Sequence, residues 1–307
     1  MSTTIENNET EVGNVIIERP ETGRPHKGKV LAAVQPHADD IPLFCGGTIA
    51  KFIAEGYTGY IIQTTNDEKC GPTPSIGETI LSNEREVDEL AKVLGLNGVF
   101  NLGYRNHRLD EASPLELRAR LVFLFRTLKV DTVFTFNPWG HSEENPDHYV
   151  TAQAVEAARW MAGMGKDYPE QVALGIAPHT VTEQYYWVAR EGQPYNRVVD
   201  ISDYMEEKVA SMSVNKSQGP AGSSGSKLKA RLAKQGLHLP ALDGDDEAAD
   251  RAYIKLFGLK AYREIGQEYG LEYAENFYYV GPGGTFVGCV EPDEVERYIT
   301  ENAAPIK

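Results

Sequence analysis

Cysteine is scarce in this sequence, and no apolar run is long enough to cross a bilayer. Cys45, Cys70 and Cys289 lie far apart and form no CxxC pair. That excludes a disulfide framework and fits a reducing compartment. Positive charge is also in deficit: 30 Lys and Arg against 45 Asp and Glu leave a formal net charge of −15. A nucleic acid or an anionic membrane needs a basic surface, so neither is expected as the main partner. A local basic pocket inside an acidic shell is still allowed. The Gly46-Gly47 pair stands without G-x-G-x-x-G or G-K-[ST], which leaves only a weak phosphate-loop signal. Residues 1–28 are polar, rich in Glu, Asn and Thr, and lack the apolar h-region of a secretory signal. They read as a flexible tail, and the protein as cytoplasmic.

What the chain does have is ordinary globular composition, with 41% hydrophobic and 24% charged residues over 307 positions. That length allows one large domain or two small ones. Short β-rich runs at 29–34 (KVLAAV), 60–64 (YIIQT), 98–102 and 131–136 alternate with helical stretches at 45–55, 78–94 and 149–161. Ser113-Pro-Leu-Glu116 is a capping box with Pro at the first helical position, opening a helix to about Lys129. The alternation predicts an α/β fold, a mostly parallel sheet with helices on both faces. Further on, 183–188 and 196–201 read as strands and 203–214 as a helix. A Gly/Ser-rich flexible stretch (218–226), an acidic patch (243–250) and a helix over 252–269 follow. The expected organisation is a tail (1–28), a catalytic domain (29–217) and a small C-terminal extension packed on it (218–307).

Ligands of an open parallel sheet bind at the carboxyl ends of its strands, near the switch in strand order. Two polar clusters fall at such ends: Gln35-Pro-His-Ala-Asp-Asp40 after the first strand and Asn137-Pro-Trp-Gly-His-Ser-Glu-Glu-Asn-Pro-Asp-His148 after the fourth. An extended chain would put His37 and Asp39 on one face. A turn toward the coming helix instead brings His37 and Asp40 to one side, with Asp39 beside them. The turn is expected because a helix must begin soon after, and Gly46-Gly47 let it pack close. Imidazole with carboxylate suits zinc, and a catalytic zinc needs one more protein ligand plus an open position. His148 supplies that ligand. The bland alternative is that the carboxylates are helix caps and the histidines ordinary surface groups. Two clusters on one edge of the sheet weigh against it.

Pro36-His-Ala-Asp-Asp40 followed by Gly46-Gly47-Thr48 resembles the opening signature of the PIG-L/LmbE-like zinc N-deacetylases. The likeness continues through Glu86, Leu94-Gly95, Leu102-Gly103-Tyr104, Asn145-Pro-Asp-His148, Val199-Asp-Ile-Ser202, Lys208 and Asn215-Lys-Ser-Gln218 to Tyr273–Phe277. In pattern it is nearest to diacetylchitobiose deacetylases. The resemblance implies a Rossmann-like sheet, zinc on His37, Asp40 and His148, and Asp39 as the base that deprotonates a zinc-bound water. It implies hydrolysis of an N-acyl group, acetyl above all, from a small-molecule amide. A zinc hydratase of unsaturated oxo acids, or a metal-binding protein without turnover, are the alternatives.

Some positions depart from the family pattern. Asn145 stands where many members carry His, and an Asn can donate to an oxyanion but cannot transfer a proton. The usual substrate-facing Arg falls on Asn83, with Arg85 the nearest basic substitute, and the usual Asp after the Leu-Gly-Tyr element falls on Asn106. Arg85 and Asn106 are therefore the candidate substrate-binding residues. The chain has no His beyond His238, so a tail His reaching a neighbouring site is missing. His141 is read either as an oxyanion donor or acid, or as an exposed loop residue. Asp147 is expected to orient a ligand or the loop. Arg105, His107 and Arg108, at the end of the third strand, read as a group binding an anionic substrate or, in preference, as a solvated basic loop, and Trp139 as a sugar platform or core packing. A homo-oligomer is expected.

Overall fold

The computed structural model describes residues 9–72, 75–218, 222–282 and 292–306. The apolar run behind the first cluster forms a buried strand, β3 (Val30–Gln35). Its residues alternate between the two faces, as the period of two requires. Leu31 and Ala33 join one core with Ile41, Ile49, Phe52 and Leu90. Ala32 and Val34 join the other with Leu121, Phe125, Val133 and Val155. Buried on both faces, β3 pairs in parallel with β4 (Thr58–Thr65) on one side and β6 (Thr132–Phe136) on the other. Beyond β4 lies β5 (Val99–Tyr104), and beyond β6 lies β7 (Glu183–Trp187), both parallel to their neighbours. The chain leaves β3 in one direction and returns on its other side at β6. The switch point therefore lies between these two strands.

Helices α1 (Asp40–Phe44), α2 (Gly46–Ala54) and α3 (Ile76–Val93) contribute to the first core, and α4 (Pro114–Leu128) and α5 (Pro146–Ala162) to the second. Of the expected capping box the Ser113 half opens α4, where Ser113 Oγ accepts from the Glu116 N–H, while Glu116 Oε1 accepts from the Tyr104 hydroxyl. The doublet Gly46-Gly47 permits close packing: a Cβ on Gly47 would lie 2.8 Å from Ile201 Cδ1, and one on Gly46 2.7 Å from Ser211 Oγ. The backbone N–H groups of Gly47 and Thr48 donate to the Glu275 carboxylate at 3.1 and 2.8 Å. The start of α2 is thus filled by a side chain of the protein, which disposes of the phosphate-loop signal.

Three expectations are corrected. Residues 9–18 are no flexible tail. They form a hairpin of β1 (Glu9–Val12) and β2 (Val15–Glu18), and β2 pairs in parallel with β8 (Arg197–Asp200). Residues 1–8 lie outside the described residues, as do Cys289 and residues 219–221 of the Gly/Ser-rich stretch. Residues after 217 are more than a cover. Their strand β9 (Ala274–Val280) inserts antiparallel between β7 and β8, so the sheet runs β1-β2-β8-β9-β7-β6-β3-β4-β5. The helix expected over 252–269 is broken. The acidic patch opens α9 (Asp246–Tyr253), capped by Asp245, and a π-turn at Ile254–Gly258 separates it from α10 (Lys260–Glu268). A short α6 (Pro169–Ala173) precedes β7, and between β8 and α9 lie α7 (Met205–Val214) and α8 (Ser224–Lys234), the latter starting inside the stretch expected to be flexible. Among the described residues, no helix is long and apolar enough to cross a membrane.

A buried ionic network explains why the hairpin is fixed. Lys51 Nζ donates to Glu18 Oε1 at 2.8 Å and to Glu55 Oε2 at 3.0 Å. Arg197 Nη1 and the Tyr185 hydroxyl reach Glu18 Oε2 at 2.7 and 3.0 Å. Burial alone would raise the Glu18 carboxyl, but Lys51 and Arg197 hold it down at about 2. A carboxyl lowered on folding adds stability that is complete above its ordinary value near 4.5 and lost as pH falls toward 2. Glu18→Gln should cost roughly 3–5 kcal/mol at neutral pH, as breaking a buried pair does. Denaturant unfolding should show the gap to the parent narrowing between pH 4.5 and 2. A gap that stays constant across that window would remove Glu18 from this role.

Candidate metal centre

Both polar clusters arrive at the switch point. Past the end of β3 the chain turns sharply: the His37 N–H donates to Asp40 Oδ2 at 2.9 Å, and Asp40 opens α1. The second cluster ends in α5, with Asn145 as cap, Pro146 at its start, and Asp147 and His148 in its first turn. His37, Asp40 and His148 meet, each offering one ligand atom within 4.8 Å of the others. His37 Nδ1 lies 3.0 Å from His148 Nε2, 3.7 Å separates it from Asp40 Oδ2, and His148 Nε2 lies 3.8 Å from Asp40 Oδ1. Tetrahedral zinc with bonds of about 2.0–2.1 Å needs donor atoms roughly 3.3 Å apart. The three observed separations bracket that spacing.

The outward nitrogens of the two histidines face carboxylates. His37 Nε2 lies 3.1 Å from Asp147 Oδ2, and His148 Nδ1 lies 3.0 Å from Glu143 Oε1. A carboxylate behind an imidazole holds the proton on that nitrogen and turns the other lone pair inward. Asp147 is well placed for this. Its Oδ2 accepts from the His107 N–H at 2.6 Å and from Asn106 Nδ2 at 3.3 Å, and its Oδ1 from the Leu109 N–H at 3.2 Å. Phe136 stacks on His148 with ring centroids 3.9 Å apart and closes the apolar side.

The electrostatics fit a cation. Burial pushes the Asp40 carboxyl up. Burial and then the Asp40 charge do the same to Asp39. Asp67, at the end of β4, is driven up to about 7 by burial against the charge of His37. Burial lowers the His37 imidazole, but the Asp147 hydrogen bond and the Asp40 and Asp67 charges carry it to about 9. These carboxylates resist ionising together, and a divalent ion would relieve them. Two residues beside the cluster hold left-handed backbone, Asp67 at φ 51° and His107 at φ 59°. Such strain persists only where surroundings fix it.

Other sequence-derived candidates lie beside this cluster or away from it. Asp39 is the N-cap residue of α1, is partly buried, and makes no side-chain cap hydrogen bond. Asn145 caps α5 through its side-chain oxygen, which accepts from the Asp147 N–H at 3.0 Å. His141 is exposed, and only its carbonyl is engaged, by Gln193 Nε2 at 3.0 Å. Arg85 lines a groove of about 460 Å³ with Glu86, Glu89, Lys216 and Arg251, whose lining includes none of His37, Asp40 and His148. Asn106 is fully buried, and its Nδ2 donates to Asp147 Oδ2 at 3.3 Å. Asn83 binds the Asp67 and Cys70 carbonyls at 3.1 and 2.8 Å. Trp139 is exposed, with its ring edge-on to Tyr186.

Asp67 and Glu143 were not singled out from the sequence. Asp67 was discoverable, because it follows a strand end as the two clusters do. Its Oδ2 accepts from the Ala38 N–H at 2.7 Å and from Gln63 Nε2 at 2.9 Å, which fixes the turn that carries His37.

The fold and the cluster together define an α/β protein with a candidate mononuclear metal centre of two histidines and one carboxylate at its switch point. Over residues 32–159 the sequence matches the PIG-L family model, described as GlcNAc-PI de-N-acetylase. It is 28% identical over 196 residues to the diacetylchitobiose deacetylase of Thermococcus kodakarensis, covering 62% of this chain and 71% of that one. It is 26% identical over 238 residues to the 1D-myo-inositol 2-acetamido-2-deoxy-alpha-D-glucopyranoside deacetylase of a Mycobacterium species, covering 61% and 73%. Its fold matches that of N,N'-diacetylchitobiose deacetylase from Pyrococcus horikoshii with a TM-score of 0.66 at 23% identity, over 85% of this chain and 87% of that one.

A second group, His37, His107 and Asp147, also comes within 4.8 Å. It would use the His37 nitrogen already bonded to Asp147, so the first group is the better metal site. Titrating metal-stripped protein with zinc should therefore show one tight site that His148→Ala loses and His107→Ala keeps. The reverse pattern would move the site to the second group.

Proposed function

We propose that this chain is a zinc-dependent deacetylase that hydrolyses the N-acetyl group of a small amide, in the manner of its family. The observation that carries the reading is the convergence of His37 Nδ1, His148 Nε2 and the Asp40 carboxylate, with a carboxylate behind each imidazole. Zinc held there would supply a Lewis acid for the amide carbonyl and acidity for the attacking water. The relatives named as deacetylases of acetamido sugars support an N-acetylated sugar or sugar-like amine as the substrate class.

Asp39 is the proton carrier in this reading. It sits beside the ligand Asp40, and its carboxylate is not committed to another side chain. It takes the proton from the attacking water as the oxygen–carbon bond forms. It returns that proton to the amine nitrogen as the carbon–nitrogen bond breaks, since an amine cannot leave unprotonated. Acetate and a free amine are the products. Asn145 caps the helix that carries His148, with its oxygen turned to the Asp147 N–H. Its amide N–H remains for the oxyanion, a role that needs a donor and no ionisation.

Asp39→Asn should keep its zinc and lose activity by roughly 10²–10⁴-fold, measured as amine release from an N-acetyl sugar panel. Metal loss as severe as in Asp40→Ala would show that Asp39 is a ligand. Water addition to an unsaturated oxo acid without amine release would replace this reading with a hydratase.

Asn145→Asp separates two jobs of one side chain. The carboxylate still caps α5, so unfolding should be unchanged or slightly more resistant. The amide donor is lost, and kcat should fall by about 10²–10³-fold with zinc retained. Undiminished kcat in this variant would leave Asn145 a cap alone.

A further inference from the structure

Glu143 has an arrangement that a loop staple does not require. Its side chain is only 3% exposed, and one oxygen does all the visible work. Oε1 accepts from the Asn145 N–H at 3.2 Å and from Arg190 Nη2 at 3.1 Å, and lies 3.0 Å from His148 Nδ1. The other oxygen, Oε2, is buried without a hydrogen-bond partner, and His148 Nδ1 makes no well-formed hydrogen bond although Oε1 lies 3.0 Å away. Buried polar atoms without partners are rare, and two such atoms side by side are a donor and an acceptor awaiting alignment. When His148 Nε2 serves as a ligand, its proton resides on Nδ1. A small rotation of the Glu143 side chain then satisfies both groups.

Arg190 belongs to the β7–β8 connection, outside the family-matched residues 32–159. It also lines a groove of about 520 Å³ together with Phe44, Gln193, Tyr262 and Ile265. Gln193 fixes this connection by accepting from the Ala189 N–H at 3.0 Å and donating to the His141 carbonyl at 3.0 Å. The β7–β8 connection therefore grips the 137–148 loop at two points, and one of these is the carboxylate behind a metal ligand.

We infer that Glu143 is a positioning residue for His148, and that Arg190 sets it in place, so a groove-wall residue outside the family-matched segment helps determine how tightly the centre holds its metal. The inference rests on the metal reading above. It assigns His148 the same kind of support that Asp147 gives His37, but held from the groove side by a cation.

The test measures zinc affinity by chelator competition and the visible spectrum of the cobalt(II) form in the full chain, for Glu143→Ala, Glu143→Gln, Arg190→Ala and the Glu143→Ala/Arg190→Ala double variant. Glu143→Ala should weaken zinc binding by roughly 10–100-fold, the usual consequence of removing such a support. Its cobalt bands should shift. Glu143→Gln, which keeps an acceptor oxygen and the volume, should recover much of the affinity even if the alanine variant folds poorly. Arg190→Ala should give a smaller loss in the same direction, and the double variant should be no worse than Glu143→Ala alone, the non-additivity of residues acting in series. Parent-like affinity and cobalt bands in Glu143→Ala, with a tightly binding parent, overturn the inference and leave the metal reading intact. Additive losses in the double variant overturn the part given to Arg190. A parent chain that binds no zinc overturns both readings together.

Discussion

Negative charge packed against two imidazoles is the constraint around which this end of the molecule is built. Asp39, Asp40, Asp67, Glu143 and Asp147 gather at the carboxyl ends of β3, β4 and β6, with His37 and His148 among them. Such a group is costly to bury unless each charge finds donors or a cation. The backbone supplies the donors. Asp147 takes the N–H groups of His107 and Leu109, Asp67 that of Ala38, and Asp40 that of His37. The carboxylates therefore shape the three loops as much as the loops present the carboxylates. The side chains left facing inward are those that can share one divalent ion.

Support for this arrangement comes from the far end of the sequence. Lys208 on α7 is fully buried and gives its ammonium protons to the carbonyls of Pro42 and Leu43, at the end of α1, and to Glu275 on β9. Glu275 in turn accepts from the first N–H groups of α2. One buried lysine–glutamate pair thus joins the helix that starts at Asp40 to the strand inserted after residue 273. The position of β9 in the sheet follows from the same pair. A strand contributing both a ladder and the cap of α2 cannot sit outside the domain as a cover. The resemblance had drawn Lys208 and Tyr273–Phe277 into one pattern, and the buried pair is the physical reason they belong together.

How much of this was legible depended on whether the signal was local. The strands 29–34 and 131–136 and the capped helix at Ser113 carried their own patterns, and the two polar clusters inherited their place from the strands before them. His37 and Asp40 could be paired from spacing because a helix had to follow. The hairpin at 9–18 did carry a signal, a Gly-Asn loop between Val12 and Val15 with Gly13 at φ 65°. It was masked by the polar composition around it. Arg85 lines a groove apart from the cluster for a geometrical reason. Two residues along a helix turn the side chain about 200°, so a neighbour of the inward Asn83 faces away from the site. Glu143 could not be weighted from the sequence at all, because its importance is conferred by Arg190, which lies 47 positions later. Groups made by tertiary contact have no sequence period to reveal them.

The division of the chain carries a final consequence. The family match at residues 32–159 contains every side chain at the centre itself: His37, Asp39, Asp40, Asp67, Glu143, Asp147 and His148. The neighbouring groove is walled chiefly by residues outside that match, from the β7–β8 connection, α10 and β9. Such a split lets a groove vary while the centre persists, provided the two are mechanically independent. Here they are not, since Arg190 is at once a groove wall and the partner of Glu143. Replacing Arg190 to reshape the groove would leave a buried carboxylate without its cation beside His148, which costs more than the contact itself. Substitutions at Phe44 or Ile265 carry no such charge penalty. Diversification of the groove is therefore expected to run through its apolar wall, with the arginine retained or exchanged only together with Glu143.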